Sequence, residues 1–577
     1  MTASKIGRRQ VLAGAGVAAV AGMTAACARE NGSSPTGEGW DEECDVLCVG
    51  SGAAGGTAAV TAAAEGAKVL VLEKMPVLGG TTAKSGGVCW IFNHFLLKEQ
   101  GIEDRKEDAL KYAVRYGYSR HYDPSSPTLG LDETRYKVIE AFYDNGSVAI
   151  DRLRELDAVQ FKQFRMFQVD RPAPDYADHL PENKVPTGRC LEPAVGSGSA
   201  EGGGSLARQL LAYLEKQKTP VMLETAVTKI IRDEDGKVIG VRASQGGKDI
   251  HIRARKGVIF GTGGYSHNVA LCDMHQPFVY GSCSLPGSTG DFIPLAQEAG
   301  AMMGDLGYAW RSQVVLGEAL ANRGVGWGAF VLPGDSMILV NKYGKRVVNE
   351  KRDYNDRTQA HFPYDPAHEE YPNHLIFMLF DERSLDAFGG AFPFPAPGAS
   401  QPYMLKGGNW DELFGKIDAQ LREWSGKTGG VRLASGFAET AKQTVATYNG
   451  YARNGVDPDF NRGKYDYDKA WHMLFSARRE GTKYPENPFP NPVMHPFAET
   501  GPYYAIILGP GTLDTAGGPQ VNENAQVLAA NGEPIPGLYG AGNCIAAPTG
   551  QAYLGAGGTI GPAVTFGYIA GKHAANS

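Results

Sequence analysis

The sequence predicts an α/β protein: a Rossmann-like dinucleotide-binding domain interrupted by an inserted α+β domain that caps it. Three observations carry this reading. An apolar strand runs into a glycine turn, a small-residue helix and a second strand from Asp45 onward. Strands ending in glycine turns recur at Val258 and Leu538. Between 287 and 497 the composition shifts to Pro-, Trp- and Tyr-rich sequence with long irregular stretches.

Taken in order, the chain opens with Lys5-Ile6-Gly7-Arg8-Arg9-Gln10-Val11-Leu12 and an Ala/Gly-rich apolar run to Ala26. This reads as a twin-arginine export signal over 1–27, which would place the protein in the periplasm or at the cell surface. The run is short and weakly apolar beside a membrane span of roughly 20 residues. Cys27 follows Thr24-Ala25-Ala26, so lipidation there is the one expected route to membrane contact; Thr24 stands where such boxes prefer Leu, and simple cleavage is the alternative. Residues 28–40 read as a linker. The core domain is then expected over 41–286, the inserted substrate domain over 287–497, and the return to the core domain over 498–577.

Asp45-Val46-Leu47-Cys48-Val49 enters Gly50-Ser51-Gly52-Ala53-Ala54-Gly55, followed by a helix over 57–65 and the strand Lys68 to Glu73. The glycines serve a tight turn, close approach of a pyrophosphate, and helix–strand packing, while the helix N-terminus offers its N–H groups to the phosphates. Glu73 ends the second strand, where an acid accepts hydrogen bonds from a ribose, with Lys74 beside it. The loop Gly79-Gly80-Thr81-Thr82-Ala83-Lys84-Ser85-Gly86-Gly87 favours FAD over NAD, because such a loop lies along an isoalloxazine. Gly80, Thr81, Thr82, Ser85, Gly86 and Gly87 are its contact candidates. Strands are expected around the Asp235-Gly236 turn, with Val227 facing the cofactor, and Thr262, Gly263 and Gly264 follow the strand at Val258. Gly542 and Asn543 belong to the last glycine turn. A closing helix over 559–572 starts at Thr559 and Ile560, its N-terminus towards the flavin pyrimidine.

Other function classes find little support. The formal net charge is -7 with no long basic block, which excludes a nucleic-acid footprint. The eight cysteines form no CxxC pair, finger spacing or haem site, and no metal site is expected.

In this order the motifs resemble the fumarate reductase/succinate dehydrogenase flavoprotein superfamily, with its GR2-type FAD-binding domain. Within it the chain is most similar to the 3-ketosteroid dehydrogenases. Fumarate reductases carry an RFVNE-like motif followed by a proton-donating arginine; here Arg346-Val347-Val348-Asn349-Glu350 leads to Tyr354, or to Arg352 with a one- or two-residue shift. Their HGxNRxGGN clamp reads Thr549-Gly550-Gln551-Ala552-Tyr553-Leu554-Gly555-Ala556-Gly557, with Thr549 for the histidine and Tyr553 for the arginine. Ketosteroid 1-dehydrogenases have tyrosines at both places. Pro174-Asp175-Tyr176-Ala177 is similar to their PDYY segment, with Ala177 at the second tyrosine and Tyr176 as a substitute; Thr187-Gly188-Arg189 follows at a similar distance. The 4-ene (5α) dehydrogenases share the tyrosines but have YxSG where this chain has Gly555.

The resemblance implies dehydrogenation of a 3-ketosteroid-like ketone, 1,2-desaturation favoured. Hydride would go to flavin N5 and the α-proton to Tyr354 as base, with Tyr176 supporting. Tyr553 and the Gly557 N–H would form an oxyanion hole. Arg352 or Arg357 would supply the field that lowers the Tyr354 pKa. Tyr308, Trp310, Trp327 and Phe330 are expected in general core more than in a pocket. The implied partners are a small apolar ketone and an electron acceptor, a quinone or a redox protein. Alternatives are an extracytoplasmic fumarate-reductase-like flavin reductase of a conjugated alkene, and a flavin-binding scaffold without activity.

Overall fold

A computed structural model describes residues 39–166, 170–194, 202–396, 398–474 and 487–577. The export segment 1–27, Cys27 and all but the end of the 28–40 linker lie outside the described residues.

The first sheet is built on the predicted βαβ unit. Its order is Gln526–Leu528, Pro534–Gly540, Lys248–Phe260, Glu42–Val49, Val69–Leu72 and Val221–Met222, with Val238–Gln245 and Thr225–Arg232 branching off antiparallel. The central pairings are parallel, and Val46 to Val49 and Val69 to Leu72 are buried throughout. Continuous apolar runs are what strands covered on both faces require.

The helix Ala53–Ala64 starts four residues before the expected position. Thr82 explains this: its Oγ1 accepts the Ala53 N–H at 2.9 Å and so caps the first turn. The closing helix, Ile560–Ala575, runs against it at backbone distance. A methyl on Gly567 would meet Ala54 O at 2.5 Å, and one on Gly571 would meet Ala58 O at 2.4 Å. Small residues on both helices are the condition for that contact.

The second sheet gathers strands from the middle of the chain and from Tyr503–Thr515. Its backbone is Tyr503–Thr515, which pairs with Gly281–Ser282, Ala309–Val315, Ile376–Asp381 and Met404–Gly407, while Met337–Val340 pairs with Ile376–Asp381. The strands of this sheet thus lie between Gly281 and Thr515. Its longest strand is apolar on both faces and buried along nearly its whole length, so it reads as core sequence of either region. A three-stranded sheet of Cys89–Trp90, Cys190–Pro193 and Phe161–Gln163 forms a further wall.

Candidate active site

A groove of about 1150 Å³ follows the glycine turns of the first sheet. Gly50, Gly52, Ala53, Ala54, Glu73, Lys74, Gly80, Thr81, Thr82, Ser85, Val227, Thr262, Gly263, Gly542, Asn543, Thr559 and Ile560 all line it. Gly55 and Gly264 do not. A methyl on Gly55 would fall 1.9 Å from Gly50 O, and one on Gly264 would fall 2.3 Å from Thr515 Oγ1, so both glycines serve packing beneath the groove. Gly86 and Gly87 line a neighbouring cavity instead.

The groove's chemistry fits an FAD. Gly50 sits at φ +101°, as the tight turn demands, and Thr262 Oγ1 is buried against the groove without a hydrogen-bond partner among the described residues. Glu73 is held by the Ser51 hydroxyl (2.6 Å) and N–H (3.1 Å) and by the Met75 N–H (2.9 Å), which fixes its carboxylate at the groove's edge. Lys74 pairs with Asp291 at 2.6 Å and so ties the two regions together beside it.

The second cavity shares Thr81, Ser85, Asp514, Asn543, Thr559 and Ile560 with the groove. Tyr176, Tyr354, Tyr553 and Gly557 line it together. The Tyr176 hydroxyl donates to that of Tyr354 at 2.9 Å, the Tyr176 and Tyr553 rings stack at 5.4 Å, and the Tyr354 ring meets Tyr553 edge-on at 5.3 Å. Tyr176 is thus the residue of the Pro174–Ala177 segment that touches Tyr354. Each tyrosine is set by its own element. Tyr354 opens the helix Tyr354–Gln359, capped by Asp353 through the Asp356 N–H at 2.9 Å. Tyr176 is tied to the Tyr553 loop by its N–H on Leu554 O at 3.0 Å. Beneath Tyr176, fully buried Arg189 joins Asp175 (2.6 Å) to Asp104 (2.7 Å), and Trp90 Nε1 donates to Asp175 at 2.8 Å. Gly557 sits at φ +90°, and a methyl there would meet Val88 O at 2.2 Å. Its N–H makes no hydrogen bond among the described residues.

Neither expected arginine turns towards the cavity. Arg352 donates to Tyr176 O and faces Asp178 and Asp468 at 3.6 and 3.5 Å, while Arg357 binds Gln313, Arg352 O and Ala329 O. Neither lines the cavity. Burial pushes the Tyr354 hydroxyl well above the ordinary tyrosine range, and Tyr553 pushes the same way; the hydrogen bond from Tyr176 pulls it down. Thr549 is buried and bonds Ala552 O at 3.1 Å, away from the cavity. Among the described residues no arginine or histidine lines the cavity, and its charged side chains are Lys84, Glu192 and Asp514.

Trp327 and Phe330 line the cavity, contrary to the core reading: the Phe330 ring meets that of Tyr354 at 5.0 Å, and the Trp327 ring meets that of Phe330 at 6.3 Å. Trp310 packs edge-on to Tyr553 at 5.6 Å and donates to Asn543 at 2.9 Å. Phe164, Trp471 and Glu192 also line it and escaped sequence reasoning. Nothing in their local sequence marks them, since strand pairing and a distant helix bring them there.

A Rossmann-type sheet, a glycine-lined groove and a contiguous apolar cavity define a flavoprotein oxidoreductase. The comparisons make this specific. A family model described as "FAD binding domain" matches residues 45–560, and the chain belongs to that family. Its similarity to 4-oxocyclohexanecarboxylate 2-dehydrogenase of Sinomonas cyclohexanicum is 31% identity, over 92% of each chain. The 3-oxosteroid 1-dehydrogenase of Mycolicibacterium smegmatis is 31% identical, over 92% of this chain and 96% of that one. Among solved structures, 3-ketosteroid delta1-dehydrogenase from Sterolibacterium denitrificans in complex with 1,4-androstadiene-3,17-dione aligns with a TM-score of 0.73 and 25% identity, over 93% of this chain and 100% of that one. The protein is an FAD-dependent oxidoreductase acting on CH–CH groups, similar to the 3-ketosteroid dehydrogenases of the fumarate reductase superfamily.

Proposed function

We propose that the enzyme desaturates a 3-ketosteroid-like ketone beside its carbonyl, 1,2-desaturation favoured, with Tyr354 taking the α-proton. The observation that carries this reading is the hydrogen-bonded Tyr176–Tyr354 pair beside Tyr553 and the unpartnered Gly557 N–H, in one apolar cavity. Bound FAD supplies the hydride acceptor. Tyr553 O–H and Gly557 N–H are suited to hold the carbonyl oxygen as charge develops on it, which acidifies the α-carbon. The proton then passes to the Tyr354 oxygen, and the hydrogen bond from Tyr176 steadies the phenolate that receives it. The buried aromatic walls exclude water and strengthen each of these interactions.

That no arginine or histidine among the described residues lines the cavity favours a large apolar ketone over a diacid, whose recognition rests on paired arginine contacts. Arg352 turned towards Asp178 and Asp468 counts against the fumarate-reductase-like alternative. The electrons leave to an acceptor of quinone or redox-protein type, and the protein works outside the cytoplasm after twin-arginine export. Replacing Arg8 and Arg9 by lysine should retain the protein in the cytoplasm on cell fractionation. The test of the reaction is to mix the yellow protein anaerobically with androst-4-ene-3,17-dione. Loss of the flavin's visible absorbance with a product two hydrogens lighter (~2 mass units, one hydride and one proton) supports the reading, and no change with this or a saturated 3-ketosteroid sinks it.

A further inference from the structure

Six residues line both the cofactor groove and the substrate cavity: Thr81, Ser85, Asp514, Asn543, Thr559 and Ile560. Hydride passing from a substrate in the cavity to a flavin in the groove crosses at this junction. Of the six, Asp514 alone carries a charge.

Asp514 is 2% exposed and surrounded by donors. Its Oδ1 accepts the Thr515 N–H and the Ser266 hydroxyl, each at 2.9 Å. Its Oδ2 accepts the Gly264 N–H at 2.9 Å, the Asn543 amide at 3.3 Å and the Ser288 hydroxyl at 3.4 Å. Each oxygen thus takes a backbone N–H, a donor that cannot turn acceptor, which is the setting of an ionised carboxylate. Oδ2 is the oxygen on the groove side, since Asn543 and Ser288 both line the groove. The five partners are neutral, so the charge is hydrogen-bonded but not cancelled by them. An uncharged side chain could accept the same N–H groups without the cost of burying a charge. Neither the proton path nor the oxyanion hole uses Asp514. The helix Ile560–Ala575 brings the positive end of its dipole to the same junction, and the carboxylate works against it.

We propose that Asp514 tunes the bound flavin: its fixed negative charge opposes the charge that arrives with hydride and so lowers the flavin's reduction potential. The reduced flavin is thereby a stronger donor, and its two electrons leave for the acceptor more readily. This goes beyond the ketosteroid reading and does not depend on it, because the charge acts on the flavin whatever the substrate.

The test is the midpoint potential of the FAD-loaded protein, read from flavin absorbance at equilibrium with a reference dye. Asp514→Asn keeps the shape and removes the charge. It should favour the reduced form by about ten-fold or more, which is about 30 mV for a two-electron couple. Asp514→Ser is a second neutral variant and guards against a fault caused by an amide NH₂ among so many donors. Asp514→Glu keeps the charge and should stay near the native value. Sulfite gives an independent reading, because it adds its electron pair to the oxidised ring and leaves negative charge there. The neutral variants should bind sulfite about ten-fold tighter. Native potential and native sulfite affinity in a neutral variant that carries its FAD would overturn the proposal. An equal shift in Asp514→Glu would trace the effect to packing and overturn it too. So would loss of FAD from both neutral variants with Asp514→Glu still loaded, which would assign the carboxylate to holding the cofactor.

Discussion

At the scale of single residues, the tyrosines decide the chemistry and their environment decides its pH dependence. Tyr354→Phe should cut turnover by about 10²–10⁴, the usual worth of a positioned base, while the flavin content stays at the native level. Because burial and Tyr553 hold the Tyr354 hydroxyl above its ordinary value, its reactive phenolate is scarce at neutral pH. The rate should therefore climb with pH through the alkaline range, with no plateau below about pH 10, the free tyrosine value. Tyr176→Phe removes the interaction that lowers that pKa, so the rising limb should move to higher pH in a kcat/KM profile. An unmoved limb would take Tyr176 out of the proton path. Tyr354 and Tyr553 were legible as departures from arginine in otherwise familiar motifs. The Tyr176 contact was visible only as a choice between neighbours, because the turn after Asp175 decides which side chain faces Tyr354.

At the scale of elements, the segment from Arg346 to Glu350, just before the helix that carries Tyr354, is anchored by buried ion pairs. Glu350 accepts from Arg346 at 2.8 Å and from Arg462 at 3.2 Å, and Arg346 also reaches Asp457 at 2.8 Å, all buried. Burial alone would raise the Glu350 carboxyl, but Arg346 and Arg462 hold it at about 2. Its folded pKa lies below the unfolded value of about 4.3, so its contribution is full above that value and is lost as pH falls towards 2. Glu350→Gln strips that charge from between two buried arginines and should cost about 3–5 kcal/mol at neutral pH, measurable as a lowered urea midpoint. The difference from native should shrink in acid. The motif's spacing announced this element, but its partners Asp457 and Arg462 lie more than a hundred residues on, with no local pattern to disclose them. The βαβ unit was legible for the opposite reason: its glycine turn, helix and acid are all neighbours in sequence.

At the scale of the whole molecule, the cofactor groove and substrate cavity meet where the two sheets meet. Asp514, at the end of the second sheet's longest strand, accepts the Gly264 N–H (2.9 Å) and the Ser266 hydroxyl (2.9 Å) of the first region and lines both spaces. FAD should therefore stabilise both regions as one unit, giving a single melting transition that rises with added FAD. A hundred-fold excess over its Kd is worth about 2.7 kcal/mol, and two separate transitions in a calorimeter would count against the coupling. That strand has a further consequence, in the history of the chain rather than its final state. Four of the five other strands of the second sheet pair directly with Tyr503–Thr515, yet three of them precede it by a hundred residues or more. A nascent chain thus carries those apolar strands with their partner still unmade. The sheet can close only once Tyr503–Thr515 has been made, so assembly of this active site waits on that strand.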